Sequence, residues 1–561
     1  MKSSIIELTL IVLLFSVCGC TKTEINTDME HGIPPKKTVT LDVKVYDEKT
    51  KTALGEKQEN GSYSMIWSEG DEIAVINNGR LFKFTINAED AGKQSATFSC
   101  EDGYYFDETK EIIAYYPYNA VTYSYGKIYC DIPYNQVYTA NSFDKNAMHM
   151  VAKRAAAKSS PLTFNNLFGI LKLRINGGDF NRLVGNIKIG SSSPLTHSSS
   201  VLNTTSLKVE IPEDGLYNLN LECNNNSKGI GITNTTDFMI VIPAGEQILG
   251  VLINTYTSTG SFDKGYYKRT TSYKNIVGGQ ILTMPAIDLS NSNTRKHMEV
   301  QNWTYSSYSH YYETFSSSSV YGRMIGYTLW ANVNIESSVN KSNRNYNYPG
   351  NLYQWGRKDG MYGAKKVEGR FDLNSGTPAA DTYYTAVAGD WCTPSYDQMW
   401  NQNTEEDKEI NPIKSSTDPC PNGWRVPTGT ELGYLMDGNY AADIKYTQIE
   451  FWSNDSQGYI IQNGYGFSGK ADYENAAEKS HNVILPYGGL YANSKYEGNN
   501  ILPYSPITRF SDAGYYWSST PASDGDALCG KFCTPIGANS FLPGMDIGDR
   551  YKAMQIRCVK E

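Results

Sequence analysis

The sequence predicts a mainly β chain, in which a run of sandwich-forming strands is followed by a carboxyl-terminal unit of strand, helix and displayed loops. Three observations carry this expectation. Forty-three Tyr against eighteen Phe, with many Asn, Ser and Thr, make a chain of β-formers and turn-formers in which long helical periodicity is hard to find. From Thr38 onward Val39, Leu41, Val43 and Val45 alternate with Thr40, Asp42 and Lys44, the period of a half-buried strand. Near the end Trp424 and Trp517 lie beside turn-formers (Gly423, Pro427, Pro521), which predicts a core plugged by large rings beneath surface loops.

With 561 residues the chain exceeds a single core and has room for three or four domains. Fifty Lys and Arg against 59 Asp and Glu give a mild acidic excess with no basic run to follow a phosphate backbone, so no nucleic-acid partner is expected. Of the six His, no two stand at i, i+4 beside a Glu, and none neighbours a Cys pair at zinc spacing. No metal site, cofactor or catalytic residue is expected.

Residues 1–20 read as an address: one Lys, an apolar run from about Leu8 to Val17, then Val17-Cys18-Gly19-Cys20. The run is too short to span a bilayer as a helix. The tetrapeptide resembles a bacterial lipobox, which implies cleavage before Cys20 and lipidation of that residue; a plain secretory signal is the alternative. Residues 21–37, polar and containing Pro34-Pro35, read as a tether.

In the first half, EIAVI at Glu72, LFKFTI at Leu81 and IIAYYPY at Ile112 are further strand candidates separated by Gly, Asn and Asp turns. A second unit follows from about Leu162, with FGILKLRI, GNIKIG, DFMIVIPAG and LGVLINTY as strands and PAIDL at Pro285 to Leu289 closing it. In order, TKTAL, IWSEGDEIAVI, SATFSC, AYYPY, IPYNQ and SFDKNAMHMVAK are similar to the fimbrillin family of Bacteroidales lipoproteins. That resemblance implies two stacked β-sandwiches, over residues 38–160 and 161–290. Polymerising members resemble donor-strand systems, in which an Arg-directed protease removes the first strand and a neighbour supplies a replacement. The first Arg of this chain is Arg80, well inside the first unit, and its carboxyl end is occupied by another domain. A tip, anchor or free-standing surface protein is therefore expected in preference to a shaft subunit.

Ser290 to Thr294, SNSNT, has the composition of a flexible linker, and the Tyr- and Ser-rich run after it reads as a covering segment of the last domain or a second contact surface. Downstream, LYQWGRK, GWRVPT, VILPYGGL, GYYWSST and a terminal RCVKE occur in the order found in FISUMP-type domains, which resemble the C-type lectin-like fold. The expected architecture is thus two fimbrillin-like β-sandwich domains followed by an α+β C-type lectin-like domain over residues 296–561. Eight Cys remain after the lipobox, and an exported protein can oxidise them. The resemblance implies a disulfide between Cys420 and Cys558; other pairings stay open.

Between the two framework motifs the loops from Gly488 to Pro521 combine Tyr with Ser, Asn and Gly, the mixture antibody loops use because Tyr offers contact area for few frozen torsions. Tyr491, Asn493, Tyr496, Asn499, Asn500, Tyr504, Arg509 and Asp512 are the ligand-contact candidates, facing a surface glycan or a protein. Three other stretches offer rival chemistry. Cys529 and Cys533 in CGKFC suggest a redox or metal pair, as in the related formylglycine-generating enzymes, against a disulfide or two buried thiols. Gly464 to Gly469, GYGFSG, matches a dinucleotide fingerprint in letters but lacks a βαβ context and reads as turn glycines. Asp524, Asp526, Asp546 and Asp549 offer oxygens to Ca²⁺, while the proline motifs of sugar-binding C-type lectins are missing and only WSND at Trp452 stands in for their WND. No nucleophile elbow is present. The expected function is a lipid-anchored outer-membrane adhesin with a lectin-like head; a pilus tip or anchor subunit is the second reading and an enzyme the third.

Overall fold

A computed structural model describes residues 37–45, 53–57, 63–213, 215–223, 228–300, 322–331, 334–335, 351–360, 365–380, 382–386, 388–436, 444–455, 458–469, 483–486, 490–492, 495–497, 513–523, 525–533 and 543–561. The chain is mainly β, as the alternation predicts. In the strand Val39–Val45 the four apolar side chains are buried and Thr40, Asp42 and Lys44 are exposed. They line a core around Trp67, whose ring meets Phe98, Tyr116 and Phe164 edge-on at centroid distances of 5.0, 5.7 and 5.6 Å.

The first sheet of the expected sandwich region closes on itself. Val39–Val45 pairs antiparallel with Ser95–Cys100 on one side and parallel with Leu162–Asn166 on the other, completing a seven-stranded barrel. Leu162–Asn166, read from sequence as the head of the second unit, is the strand that closes the first. Its alternating Leu162 and Phe164 suit either core, and only the pairing Val43 to Leu162 decides between them. Closure leaves no edge for another chain to extend. Arg80 opens the strand Arg80–Ile86, the barrel partner of Glu72–Asn77. A cut there would remove both Val39–Val45 and Glu72–Asn77, two of the seven barrel strands, and not a single terminal strand.

The second core lies between two sheets. Leu183–Ser191, Asn218–Glu222, Leu249–Tyr256 and Phe262–Arg269 form one; Phe168–Asn176, Thr236–Pro243, Ile281–Thr283 and Ile287–Asp288 form the other. The two cores exchange strands. Asn135–Val137 pairs parallel with Asn218–Glu222, and the Gln136 carboxamide bonds both backbone groups of Val241 at 2.7 and 2.9 Å. In return Ser200–Asn203 pairs with Lys127–Cys130, on a small sheet covering the outside of the barrel.

The expected linker at Ser290 to Thr294 is instead the start of a helix. The Asn291 carboxamide oxygen accepts from the Asn293 and Thr294 amides and caps Ser292–Met298, whose Met298 seals the second core. Asn and Ser favour caps and linkers alike, because both leave backbone groups for a short polar side chain to satisfy.

In the last unit the strand Val559–Lys560 is wedged between Thr328–Ala331 and Trp424–Arg425, so the two ends of the unit meet. Cys558, adjoining it, is disulfide-bonded to Cys420 across 138 residues, the pairing that the family resemblance implies. Around this closure stand the sheet of Ala513–Pro521, Asp526–Cys533 and Gly544–Asp549 and the helix Gly429–Met436. Gly464 to Gly469 ends the strand Gly458–Gly469, with Gly464 to Phe467 paired on both sides, and is not a turn. Trp424 and Trp517 are both buried in this unit's core. Trp517→Ala is expected to cost about 3–5 kcal/mol in chemical denaturation, the scale of a buried aromatic truncation; a loss below about 1 kcal/mol would remove it from the frame.

Candidate ligand-display site

Four buried indoles form a relay through the last unit, each donating its N–H to a backbone carbonyl on another segment. Trp517 donates to Tyr353 at 2.9 Å, Trp355 to Ser518 at 2.8 Å, Trp391 to Trp355 at 2.7 Å and Trp400 to Arg357 at 3.2 Å. Each ring thereby fills volume and fixes register, since a buried N–H left unpaired would cost more than the bond contributes. Arg550, fully buried, stacks its guanidinium 4.3 Å from the Trp355 ring centroid. It donates to Asp390 at 3.4 Å, Asp397 at 2.5 Å, Ser395 at 3.0 Å and the Asp526 carbonyl at 3.0 Å, pinning the 390–397 segment and the start of the strand Asp526–Cys533 to one cation.

Two paired elements bound the 498–512 stretch and tie its flanks to this frame. On one side the hairpin Leu490–Ala492 and Lys495–Glu497 joins the frame through Tyr491, which stands opposite Ala553, and sets Tyr491 directly opposite Tyr496. On the other side Ala513 pairs with Cys533 at the start of the strand carrying Trp517. Of the eight ligand-contact candidates the structure brings together Tyr491 and Tyr496, as a cross-strand pair. Asn493, Asn499, Asn500, Tyr504, Arg509 and Asp512 lie outside the described residues, and so does Cys20.

The rival chemistries find little support among the described residues. Cys529 and Cys533 sit four positions apart in one extended strand, roughly 13 Å at about 3.3 Å per residue, too far for a mutual disulfide. Burial, with Asp546 nearby, pushes the Cys529 thiol up to about 12, away from nucleophilic character. Asp546 is held by Lys531 at 2.7 Å, and Asp549 accepts from the Gly389 amide at 2.9 Å and pairs with Lys552 at 3.0 Å. Asp524 lies outside the described residues. Among those described, no three His, Cys, Asp or Glu side chains converge as a metal cage.

One set of functional groups escaped sequence reading. Glu431, fully buried, takes both guanidinium nitrogens of Arg425 at 2.7 Å and also binds Arg269, which reaches in from the second sandwich and donates to the Ile410 carbonyl at 2.6 Å. The same carboxylate accepts from the Thr428 amide at 2.9 Å, while the Thr428 hydroxyl accepts from the Glu431 amide at 3.3 Å. This is a reciprocal cap on the helix Gly429–Met436, and its signature, Thr428-Gly-Thr-Glu431, is visible in the sequence. Beside it the Tyr267 hydroxyl donates to the Tyr327 carbonyl at 2.5 Å. A Cβ at Gly190 would lie 1.8 Å from the Gly326 oxygen, and one at Gly250 would lie 2.3 Å from that of Tyr327. The sandwich and the last unit therefore meet backbone to backbone.

Burial pushes the Glu431 carboxyl up, but Arg425 and Arg269 outweigh it and hold it at about 2, below its ordinary 4.5. A depressed carboxyl contributes stability that is present above about pH 4.5 and lost as pH falls toward 2. Asp418 has the opposite sign: burial outweighs Lys414 and raises it to about 6, so its ionisation costs stability as pH rises through that value. Glu431→Gln should destabilise the protein by about 3–5 kcal/mol at pH 7, because two guanidiniums lose their counter-charge in the interior. In denaturation curves the gap to wild type should shrink below pH 4; a gap independent of pH would show that the charge has no part in it.

Residues 290–560, just under half the chain, match the family described as the Fibrobacter succinogenes major domain. No curated protein matches the chain. Among solved structures, a fimbrial protein from Bacteroides ovatus ATCC 8483 shares 10% identity over 92% of this chain and 98% of its own, with a TM-score of 0.18. A candidate cell-adhesion protein from the same organism shares 12% identity over 46% of this chain and 94% of its own, at a TM-score of 0.30. A candidate adhesin, again from that organism, shares 8% over 49% of this chain and 97% of its own, at 0.21. Likeness at these scores transfers nothing to this chain.

Proposed function

We propose that this protein is a lipid-anchored, cell-surface adhesin that displays a lectin-like ligand-binding head on a stalk built of the barrel and the sandwich. The observation that carries the reading is the closed frame of the last unit. Both ends of the Tyr-, Asn- and Ser-rich segment are fastened to a core of buried tryptophans, so the segment between them is free to specialise for contact. In this reading residues 1–20 are the signal and 21–37 the tether, the barrel closed by Leu162–Asn166 and the sandwich that follows it are the stalk, and the last unit is the head. Cys20 carries the lipid, and the outer membrane is its site. The ligand is a surface glycan or protein, met by Tyr491, Asn493, Tyr496, Asn499, Asn500, Tyr504, Arg509 and Asp512, and the head needs neither cofactor nor catalysis.

A tip or anchor subunit of a pilus, with other pilus subunits as partners, is the second reading. It is favoured by the barrel, where Arg80 offers no terminal strand to release. Polymer ladders in outer-membrane extracts would select it.

The test is binding of the full exported chain to glycan and protein arrays, since Arg269 from the sandwich helps hold the head. Tyr496→Ala or Arg509→Ala should weaken binding by roughly thirtyfold, as interface anchors do at about 2 kcal/mol, with the melting temperature nearly unchanged. Early melting with affinity intact would assign these residues to the frame instead. Binding should survive a chelator; loss restored by Ca²⁺ would establish a metal-bridged site. Cys20→Ala should move the protein to the soluble fraction without unfolding it, because acyl burial holds it on the membrane at about 0.8 kcal/mol per methylene.

A further inference from the structure

At one end of the barrel a short turn, Gly103–Tyr105, carries two neighbouring tyrosines that are half exposed, 49% and 50%. Their rings meet edge-on at 5.0 Å, and the exposed Arg80 lies 3.8 Å from the Tyr105 ring centroid. The next residue, Phe106, is buried and packs on Phe82 and Phe84 inside the barrel. Gly103 lets the turn lie against the first strand, where a Cβ would stand 2.4 Å from a Val39 methyl. The tyrosines are thus held outward by a core anchor directly beside them, and little ordering entropy remains to be lost when they meet a partner.

The turn also marks where the chain enters the barrel. The Gly103 amide donates to the Lys37 carbonyl at 2.9 Å, and the Lys37 backbone pairs with that of Asp102 as an isolated parallel β-bridge. Sixteen residues separate Cys20 from Lys37. A flexible chain of that length spans roughly 20–25 Å on average, and covalent geometry caps it at roughly 60 Å. If Cys20 is acylated, this end of the barrel is held beside the bilayer. Tyrosine is suited to that layer, with an apolar ring and a hydroxyl for the headgroups.

Resting on the lipid-anchor reading above, we propose that the Tyr104-Tyr105 turn is a membrane contact, lying in the headgroup layer of the bilayer that holds Cys20. The neighbouring charges, Lys37, Arg80 and Lys110 against Glu101, Asp102, Asp107 and Glu108, carry a small acidic excess, so the contact draws on the rings and not on anionic lipid. It steadies the stalk against the surface at a second point, where an acyl anchor alone would let it swivel.

The experiment reconstitutes the full lipidated chain in phosphatidylcholine vesicles, with an environment-sensitive fluorophore on Tyr104→Cys or, as control, on Tyr396→Cys in the last unit. Labelling of the parent protein is subtracted as background. With nitroxide on the lipid headgroups, the label at position 104 should lose most of its emission and the label at 396 should keep it, with no dependence on salt. Vesicle flotation separates the two ideas. A wild-type chain that fails to float overturns the anchor reading and the membrane contact with it. A chain that floats while the 104 label stays as bright as the 396 label overturns the membrane contact alone.

Discussion

The last unit depends on one two-residue strand. Val559–Lys560 lies between Thr328–Ala331 and Trp424–Arg425, so the final residues of the chain join segments that are more than a hundred positions away in sequence. Two paired residues would fray if left alone, because closing so long a loop costs more entropy than a few hydrogen bonds recover. The Cys420–Cys558 bond, spanning 138 residues, removes most of that cost from the unfolded side, about 5 kcal/mol on a chain-entropy estimate. Arg557 adds a buried bond to Asn334 at 2.7 Å and so ties the same terminus to the opening segment. With the ends secured, the tryptophan relay has fixed carbonyls to donate to, and the intervening chain can be given over to loops.

The packing continues into the sandwich. Glu431 is bound from its own unit by Arg425 and from the sandwich by Arg269, and removal of either cation would leave the acid partly uncompensated in the interior. Glycines at positions 190 and 250 allow backbones to touch where any side chain would hold them apart. Further down, barrel and sandwich exchange strands in both directions. Among the described residues, the last unit, the sandwich and the barrel are therefore joined by packed backbone and buried charge.

Much of the frame was legible in the sequence. Period-two alternation places Val39, Leu41, Val43 and Val45 inside without knowledge of their partners, and rings as large as Trp424 and Trp517 beside turns have few places to go but the core. Partner choice was not legible. Val43 meets Leu162 and so closes the first sheet, a pairing that no local pattern announces. Arg550 reads from sequence as a solvated charge, yet lies buried because Asp390, Asp397 and Trp355 converge on it from distant segments. Glu431 announces itself through Thr428 as a helix cap, while its second cation sits 162 residues away. The ligand-contact candidates divide in the same way: Tyr491 and Tyr496 stand in register on paired strands, and composition alone speaks for the other six.

Hydrogen exchange on the full chain, with Cys420–Cys558 intact and then reduced, tests the dependence on this closure most directly. Amides in Thr328–Ala331, Trp424–Arg425 and Ala513–Pro521 should speed up together on reduction, by a common factor, while those of Val39–Val45 and Ile112–Tyr116 keep their protection. Unchanged exchange in Thr328–Ala331 and Ala513–Pro521 after reduction would contradict the account, since the frame would then stand without the closing strand.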